Sequence, residues 1–258
     1  MIIERANQED FSSLKSLWSE VFSEDPVFLE HFFTVRFASE HIFVARKDGI
    51  IVSALHALPA QYLQGGTIKE CSFIVGAATY ASHRKQGIMG ALLAAVKQAY
   101  NHPITLFPAV RPFYEANGYY TTSSVLAFSL EGFDCSAAAS IPMDIEHLDS
   151  LYRTEHALHG CLLRDRKAWD FLTEGYQTLC VQNGYAFISG GKAVETCASD
   201  ETAAKELLAL LASNAVTEVH TLENSFLTRL LDRKKAVPIP MGMSTDTSMQ
   251  GVYIAEQY

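Results

Sequence analysis

The most informative segment of this 258-residue chain is Gly76-Ala77-Ala78-Thr79-Tyr80-Ala81-Ser82-His83-Arg84-Lys85-Gln86-Gly87-Ile88-Met89-Gly90-Ala91-Leu92-Leu93. Its small residues, its basic middle and its Ala/Leu-rich end predict a strand that leads through a turn into a helix. Glycines in the turn let the backbone approach a ligand, and the first N–H groups of a helix have no acceptor within it. Because the helix dipole also favours negative charge there, the segment predicts a phosphate site. The alternative is an ordinary helix N-terminus whose charges are solvated.

The elements on either side of this segment predict a sheet built mostly from antiparallel strands. A strand and two amphipathic helices come first, followed by three consecutive strands that are joined by tight glycine turns. A helix, a short strand, a short helix and a strand pair come after it. The predicted bounds are 1–5, 11–22 and 27–37 for the first three elements, 41–46, 50–59 and 67–80 for the three strands, and 87–100, 104–108, 113–117 and 119–130 for the rest.

A second informative motif is Pro112-Phe113-Tyr114-Glu115-Ala116-Asn117-Gly118-Tyr119, a short helix that a glycine ends. Together with the first segment and the order of elements, it resembles the GNAT acetyltransferase superfamily over roughly residues 1–130. The motif of that family is Arg or Gln, two residues, Gly, one residue, then Gly or Ala, and Arg84-x-x-Gly87 matches its first part. Met89 stands at the next motif position and Gly90 follows it, a departure that resembles the enhanced intracellular survival (Eis-like) branch.

This resemblance implies a fold, a co-substrate and a set of site residues. The fold is the α/β (mixed α+β) GNAT fold, in which helices flank a mixed, mostly antiparallel sheet. The co-substrate is acetyl-CoA, whose pantetheine arm lies along the third antiparallel strand and whose pyrophosphate is held by the amides of the basic turn. The implied acetyl-CoA-binding residues are Gly76, Ala77, Ala78 and Thr79 in the strand and Arg84, Lys85, Gln86, Gly87, Ile88, Met89 and Gly90 in the turn.

Tyr114 corresponds, by the same resemblance, to the general acid of the reaction. Transfer of an acetyl group from a thioester to an amine releases a thiolate, and a phenol with a pKa near 10 can donate a proton to it. Without the resemblance, the sequence favours an aromatic residue of the core or the surface at Tyr114 over a catalytic one. Glu70 and His56 are candidates for a general base that acts through a water molecule, although each also fits a strand-end charge or a satisfied polar group. The amine can also lose its proton to solvent.

The stretch 132–142 is rich in Ala, Ser and Gly, and it predicts a linker over residues 133–142. The predicted organisation is an acetyl-CoA-binding domain over 1–132 and a degenerate GNAT-like domain over 143–258, where helices and strands echo the first half. The third strand of the second half runs into Ala198-Ser199-Asp200-Glu201, whose acidic pair would repel a pyrophosphate. The second domain is therefore expected to share the fold without binding CoA.

The composition narrows the range of partners. Lys plus Arg number 20 against 29 Asp plus Glu, a net charge of −9 that disfavours nucleic acid and suits a cationic amine acceptor, either a small molecule or a peptide. No apolar run approaches the ~20 residues of a membrane helix and no secretory signal is recognisable, so a cytoplasmic location without membrane attachment is expected. The five cysteines show no metal-binding spacing and are expected to be reduced; they are Cys71, Cys135, Cys161, Cys180 and Cys197.

Two functions from different classes remain open at this point. The first is an N-acetyltransferase in which an amine attacks the thioester directly. The second is a non-catalytic CoA-binding regulatory or scaffold module, which the departure at Met89 and the open identity of the base both favour. A turn that binds no CoA is the third possibility.

Overall fold

The computed structural model describes residues 1–133 and 139–256, and the chain divides into two compact units. The first unit comprises Met1–Gln61, Lys69–Tyr120 and Met243–Ser248. The second comprises Tyr62–Ile68, Thr121–Gly242 and the chain from Met249 on. Each unit thus includes a short segment from the other half of the sequence, so no single boundary separates the two units. The domain bounds 1–132 and 143–258 stay predictions, and the linker predicted over 133–142 includes residues 134–138, which lie outside the described residues.

Strands and helices alternate along both halves of the chain. In the first half they are β1 (Ile2–Arg5), α1 (Phe11–Phe22), α2 (Pro26–Arg36), β2 (Ile42–Lys47), β3 (Ile50–Gln64), β4 (Thr67–Thr79), α3 (Ile88–Ala99), β5 (Ile104–Leu106), α4 (Arg111–Ala116), β6 (Tyr120–Thr121) and β7 (Ser124–Ser129). In the second half they are α5 (Ile145–Glu155), β8 (Cys161–Leu162), α6 (Arg166–Gly175), β9 (Gln177–Val181), β10 (Gly184–Ser189), β11 (Lys192–Ala198), α7 (Glu201–Ser213), β12 (Glu218–Thr221), α8 (Phe226–Leu230), β13 (Val237–Pro240) and β14 (Met243–Ser244).

The sheet of the first unit has the strand order β1-β2-β3-β4-β5-β14-β6. The pairs β1–β2, β2–β3 and β5–β14 are antiparallel, whereas β4 and β5 are parallel. Because side chains alternate between the two faces of a strand, Leu55 of β3 joins the apolar cluster of α3, whereas the neighbouring His56 meets the aromatic rings of α1 and α2. Helices therefore flank both faces of a mixed sheet, as the sequence predicts.

The two helices that matter most for the site begin differently. Asp25 precedes α2, and its Oδ1 accepts the N–H groups of Val27 and Phe28 at 2.8 and 3.1 Å. Helix α3 instead follows Gly87, which has a left-handed backbone and provides no side-chain cap. The first turn of α3 is therefore open to an external partner, whereas that of α2 is satisfied from within.

The second unit has a six-stranded sheet in the order β13-β7-β12-β11-β10-β9, with β11 and β12 parallel. A buried ion cluster holds the C-terminal segment in this unit. Arg164 donates to both carboxylate oxygens of Glu195, at 2.7 and 2.6 Å, and its Nε donates to Glu256 at 2.9 Å. The hydroxyls of Tyr185 and Tyr253 also donate to Glu195, so this carboxylate is fully bonded without solvent.

Strand β7 lies in a different sheet from the one predicted, and β14, for which the sequence analysis makes no prediction, belongs to the sheet of the first unit. The sequence predicts a strand pair over 119–130 that closes the first half. The structure retains β6 at the edge of the sheet of the first unit, but β7 lies in the second unit between β12 and β13. In the first unit the position beside β5 is taken by β14 instead, with Met243 opposite Leu106. Alternation of side chains predicts a strand but not its partner, because pairing depends on residues distant in sequence.

None of the helices in the described ranges combines the length and the apolar character that a bilayer crossing requires.

Candidate functional site

The end of β4 extends past its parallel neighbour. β4 pairs with β5 from Ser72 to Ile74, and β5 ends at Leu106 while β4 continues to Thr79. Gly76 has a φ of +62°, a left-handed conformation that interrupts the regular pleat of the strand. The β5-facing edge of the last residues of β4 therefore lies beyond the end of β5. An extended chain that carries amides can pair with such an edge.

The turn after β4 presents a row of backbone N–H groups. Lys85 and Gly87 have left-handed φ angles of +60° and +75°. Within the described ranges, the N–H groups of residues 85–90 have no protein acceptor, and the first to find one is Ala91, which donates to the carbonyl of Gly87 at 3.0 Å. A Cβ on Gly87 would meet no atom within 4 Å, so the space beside it is open. This row of N–H groups lies at the helix start, where the sequence predicts an anion site.

The polar side chains of the turn divide into two groups. Arg84 Nε donates to the carbonyl of Thr79 at 3.0 Å, and Gln86 Nε2 donates to the carbonyl of Ser82 at 3.1 Å. These two bonds stabilise the turn from within. Lys85 is exposed, and in the described part of the chain its ammonium makes neither a hydrogen bond nor an ion pair. It is therefore available to an anion at the row of N–H groups.

Tyr114 lies in α4 with 8% of its surface exposed. Its ring packs edge-on against those of Phe113 and Tyr119, with centroids 5.2 and 5.8 Å away. Burial raises the pKa of the Tyr114 phenol above its usual value. No described residue bonds to its hydroxyl, which, unlike that of Tyr119, is not sealed from solvent. The Tyr114 phenol is thus neutral, and its hydroxyl is not enclosed.

One apolar cluster brings the predicted site segments together. It contains Ile74 of β4, Ile88 of α3 and Tyr114 of α4, and Ala77 and Met89 pack against it. The side chains of Ile88 and Met89 therefore belong to the core, and only their backbone N–H groups face the turn. A departure from the family motif at position 89 changes the packing of α3 but not the row of N–H groups.

Two glycines of the predicted site owe their identity to protein packing. A Cβ on Gly76 would overlap the indole ring of Trp18, and a Cβ on Gly90 would lie 3.1 Å from Asn117 Oδ1. Neither partner is evident from the sequence, where Trp18 contributes only to the apolar face of α1. The packing of α1 against β4 is therefore what requires a glycine at position 76. Ala77, Ala78 and Thr79 continue β4 from that point toward the turn.

Neither candidate for the general base is placed for that role. His56 is completely buried among three aromatic rings of α1 and α2, and both of its ring nitrogens lack a partner in the described chain. Burial lowers the pKa of His56 to about 3, so the imidazole is neutral throughout the physiological range. Glu70 is exposed and precedes Gly76 by six residues of β4, about 20 Å along the strand. Because His56 is enclosed and Glu70 is distant, direct loss of the amine proton to solvent is the alternative that agrees with the structure.

The turn between β11 and α7 in the second unit has a carboxylate at the start of its helix. Asp200 precedes α7, and its Oδ1 accepts the N–H of Ala203 at 2.8 Å. Glu155 Oε2 accepts the N–H of Ala198, at the end of β11, at 3.2 Å. Asp200, one of the two acidic residues that the sequence shows after β11, therefore accepts an N–H group that an anion would need, whereas Glu201 pairs with Lys205.

The described residues contain no group of three or more His, Cys, Asp or Glu side chains that could hold a metal ion. The cysteines at 71, 161, 180 and 197 are free and buried. The fifth cysteine, Cys135, lies outside the described residues. The candidate site therefore consists of backbone amides, cationic side chains and a phenol.

Residues 3–122 match the family of acetyltransferase (GNAT) domains. A "Probable N-Acyltransferase" from Enterococcus faecalis is 20% identical with a TM-score of 0.71, over 97% of this chain and 73% of that one. A GCN5-related N-acetyltransferase from Anabaena variabilis is 17% identical with a TM-score of 0.73, over 96% and 74% of the two chains. Eis1 from Mycobacterium abscessus is 14% identical with a TM-score of 0.67, over 95% and 73%.

At these identities the solved structures show a common fold, and that fold extends over both units of the chain. No curated protein matches the sequence. The mixed α/β architecture, with sheets flanked by helices, is the one predicted, and it matches the folds of GNAT acetyltransferases. The domain match over residues 3–122 supports an acyltransferase activity for this chain.

Proposed function

We propose that this chain, which carries a GNAT acetyltransferase domain over residues 3–122, transfers an acetyl group from acetyl-CoA to a primary amine. The observation that carries the proposal is the turn after β4, where the N–H groups of residues 85–90 have no acceptor within the described chain. The exposed ammonium of Lys85 lies in the same turn. A diphosphate supplies both the acceptors and the negative charge that this turn needs.

The rest of the coenzyme fits the strand that precedes the turn. Pantetheine is an extended chain with amide groups, and the edge of β4 from Gly76 to Thr79 offers backbone groups to it. This part of the strand is about 10 Å long at 3.3 Å per residue. The thioester then lies beside Gly76. Tyr114 supports the same placement, because it shares one cluster with Ile74 and Ala77 on either side of that glycine.

The proposed reaction is a direct transfer. Acetyl-CoA supplies the activated acyl group; the neutral amine attacks the thioester carbon, so that a C–N bond forms while the C–S bond breaks. Tyr114, which burial keeps protonated, donates its proton to the departing sulfur. The proton of the amine passes to solvent, because His56 is enclosed and Glu70 is distant. Tyr114 then recovers a proton from solvent.

The acceptor that we propose is a cationic amine, either a small molecule or a basic peptide, since the chain has a net charge of −9. We place the enzyme nearest to the Eis-like branch, on the departure at Met89. The second unit is proposed as a degenerate GNAT-like domain. Apart from the two-residue strand β8 between α5 and α6, both units follow the order helix, helix, three strands, helix, strand, helix, with one parallel strand pair. The proposed compartment is the cytoplasm, in keeping with the four free cysteines.

Release of thiol from acetyl-CoA over a panel of primary amines tests the activity, and Tyr114→Phe tests the assignment of the acid. We expect Tyr114→Phe to lower kcat by about 100-fold or more, in the range that general acids contribute. The Kd for acetyl-CoA, measured by calorimetry, should stay unchanged. Tyr119→Phe is the matched control, since it removes a sealed hydroxyl from the same cluster and should retain kcat.

Other outcomes would contradict parts of the proposal. Unchanged turnover in Tyr114→Phe would exclude this phenol as the acid. Tight binding of acetyl-CoA with no acetylated amine would favour the second function, a non-catalytic CoA-binding regulatory or scaffold module. Absence of any acetyl-CoA binding would contradict both functions.

A further inference from the structure

The helix that carries Tyr114 is too short to fix its own orientation. α4 has six residues, and isolated helices shorter than about 12 residues are marginal in water. The two rings that contact Tyr114 belong to Phe113 and Tyr119 of the same chain segment, so these contacts do not orient the phenol relative to α3. The apolar cluster holds α4 against α3, but apolar contacts are not directional. The direction of the phenol therefore depends on polar contacts between the two helices.

Asn117, the residue that ends α4, makes such contacts with both helices. Its N–H donates to the carbonyl of Tyr114 at 3.0 Å, and its Nδ2 donates to the carbonyl of Phe113 at 2.8 Å. Its own carbonyl accepts a hydrogen bond from Nζ of Lys97 at 2.8 Å, and Lys97 lies in the last turn of α3. An ammonium at the C-terminal carbonyls of a helix is also electrostatically favourable. Asn117 thus closes the end of α4 and ties it to α3.

The side chain of Asn117 also touches the start of α3. Its Oδ1 would lie 3.1 Å from a Cβ on Gly90, which is the last residue of the row of N–H groups after β4. Gly90 and Lys97 are seven residues apart, about 10 Å along a helix that rises 1.5 Å per residue. Because an α-helix is rigid over this length, contacts at two such points define the orientation of α4 relative to α3.

We propose that Asn117 is a positioning residue for the general acid: together with Lys97, it fixes α4 against α3 so that the phenol of Tyr114 meets the sulfur of the thioester. This inference rests on the proposed function. The start of α3 holds the diphosphate at one end of the pantetheine arm, and the sulfur lies at the other end. The relative position of α3 and α4 therefore determines the distance over which the proton is transferred.

The step that depends on Asn117 is the transfer of the proton of Tyr114 to the sulfur as the C–S bond breaks and the C–N bond forms. Asn117 itself gives up no proton and touches no reacting atom. A catalytic group that is misplaced by about 1 Å can lower the rate by about 100-fold. A change at Asn117 should therefore act on kcat and not on the binding of the coenzyme.

The first experiment measures kcat by thiol release and the Kd for acetyl-CoA by calorimetry in two variants. Asn117→Ala removes the bond from Nδ2 to Phe113 and the contact with Gly90, and it should lower kcat by at least about tenfold. The Kd should stay within about twofold, because the row of N–H groups belongs to the backbone. Asn117→Ser should recover part of kcat, since a serine hydroxyl can donate to the carbonyl four residues earlier.

Asn117→Asp separates position from charge. This variant keeps the shape of the side chain, but it replaces the Nδ2 donor by an oxygen and places a negative charge beside Gly90. It should lower kcat as Asn117→Ala does, and it should also weaken acetyl-CoA binding by at least about threefold, because the carboxylate repels the diphosphate. The loss of binding should diminish at high ionic strength.

A double variant distinguishes positioning from a general loss of stability. A residue that acts only through the phenol of Tyr114 has no further effect on kcat once that phenol is absent. The kcat of Tyr114→Phe with Asn117→Ala should therefore lie within about twofold of that of Tyr114→Phe alone. A merely structural role would lower kcat by the same factor in both backgrounds.

Two lysine variants complete the test. Lys97→Met keeps an apolar stem against α4 but removes the ammonium from the Asn117 carbonyl, and it should lower kcat by about threefold in the wild type and not in Tyr114→Phe. If Asn117→Ala does not fold, Lys97→Met provides the same comparison. Lys15→Met is the matched control: it removes an ammonium that joins α1 to Glu30 of α2, and it should leave kcat and the Kd unchanged.

The possible failures of this inference and of the proposed function are distinguishable. Wild-type kcat in both Asn117→Ala and Lys97→Met would overturn the inference alone, as would a loss that persists undiminished in Tyr114→Phe. A weaker Kd with unchanged kcat in Asn117→Ala would also overturn it. Unchanged turnover in Tyr114→Phe, or absence of acetyl-CoA binding by the wild type, would overturn the proposed function and this inference together.

Discussion

The hydroxyls of Tyr114 and Tyr119 belong to rings that touch, yet they are in different situations. Burial raises the pKa of both phenols, and for Tyr119 the neighbouring Tyr114 adds to the effect. A sealed phenol cannot exchange a proton with a ligand, so its raised pKa has no consequence for catalysis. A phenol that is open to a ligand but resists ionisation stays a proton donor even in alkaline solution.

The pH dependence of transfer follows from this difference. A raised pKa means that Tyr114 keeps its proton beyond pH 10, so kcat/KM should rise with the fraction of neutral amine and show no descending limb below about pH 10. His56, with a pKa of about 3, contributes no limb in the neutral range. Initial rates from pH 6 to pH 10 with two amines of different pKa provide the measurement. A descending limb centred below about pH 9 with both amines would contradict the role of Tyr114.

At the scale of elements, the candidate site lies between two left-handed glycines with different surroundings. Gly76, near the end of β4, has the indole of Trp18 where a side chain would be, whereas Gly87, before α3, has open space there. The first glycine is thus required by packing inside the protein. The second is required by the turn and leaves room outside it, where we place the diphosphate.

Substitution by alanine should separate these two requirements. Gly87→Ala should lower the free energy of unfolding by about 1–2 kcal/mol, the cost of a left-handed backbone, and should also weaken acetyl-CoA binding, because its methyl would enter the space of the diphosphate. Gly76→Ala should lower the free energy of unfolding by about 2–5 kcal/mol. The overlap with Trp18 adds about 1–3 kcal/mol to the cost of the left-handed backbone. Denaturant unfolding and calorimetry measure the two effects. Equal losses of stability in the two variants would mean that the indole of Trp18 moves away from the added methyl group at no cost.

Local patterns predicted most elements but few of their contacts. The β2–β3 hairpin follows from the turn at Asp48 and Gly49, both left-handed as a two-residue hairpin requires. β3 continues to Gln64, past the predicted end at Pro59, although proline usually ends a strand. The packing of Trp18 on Gly76 was not predicted, because apolar spacing assigns Trp18 to a helix face without identifying what that face covers.

At the scale of the whole molecule, two strands belong to units that their positions in the sequence do not suggest. β14 completes the sheet of the first unit beside β5, and β7 completes that of the second between β12 and β13. Met243 is fully buried in the cluster that contains Tyr114. Thr245 follows β14, exchanging hydrogen bonds with Ile104: its N–H donates to the carbonyl and its Oγ1 accepts the N–H, both at 3.0 Å. The candidate site thus depends on residues that lie more than a hundred positions away.

A chain that ends at residue 132 should therefore fail to form the first unit, although it contains all of the candidate site. Without β14, the edge of β5 is unpaired. The core around Tyr114 also loses Met243, and the cavity left by such a side chain costs about 2–5 kcal/mol of stability. Circular dichroism and amide NMR of the shortened chain should show no cooperative unfolding. The full-length variant Met243→Ala keeps β14 and creates only the cavity. It should therefore stay folded, with a lower free energy of unfolding. A shortened chain that folds and binds acetyl-CoA would show that β14 is dispensable and that the site depends only on the first half.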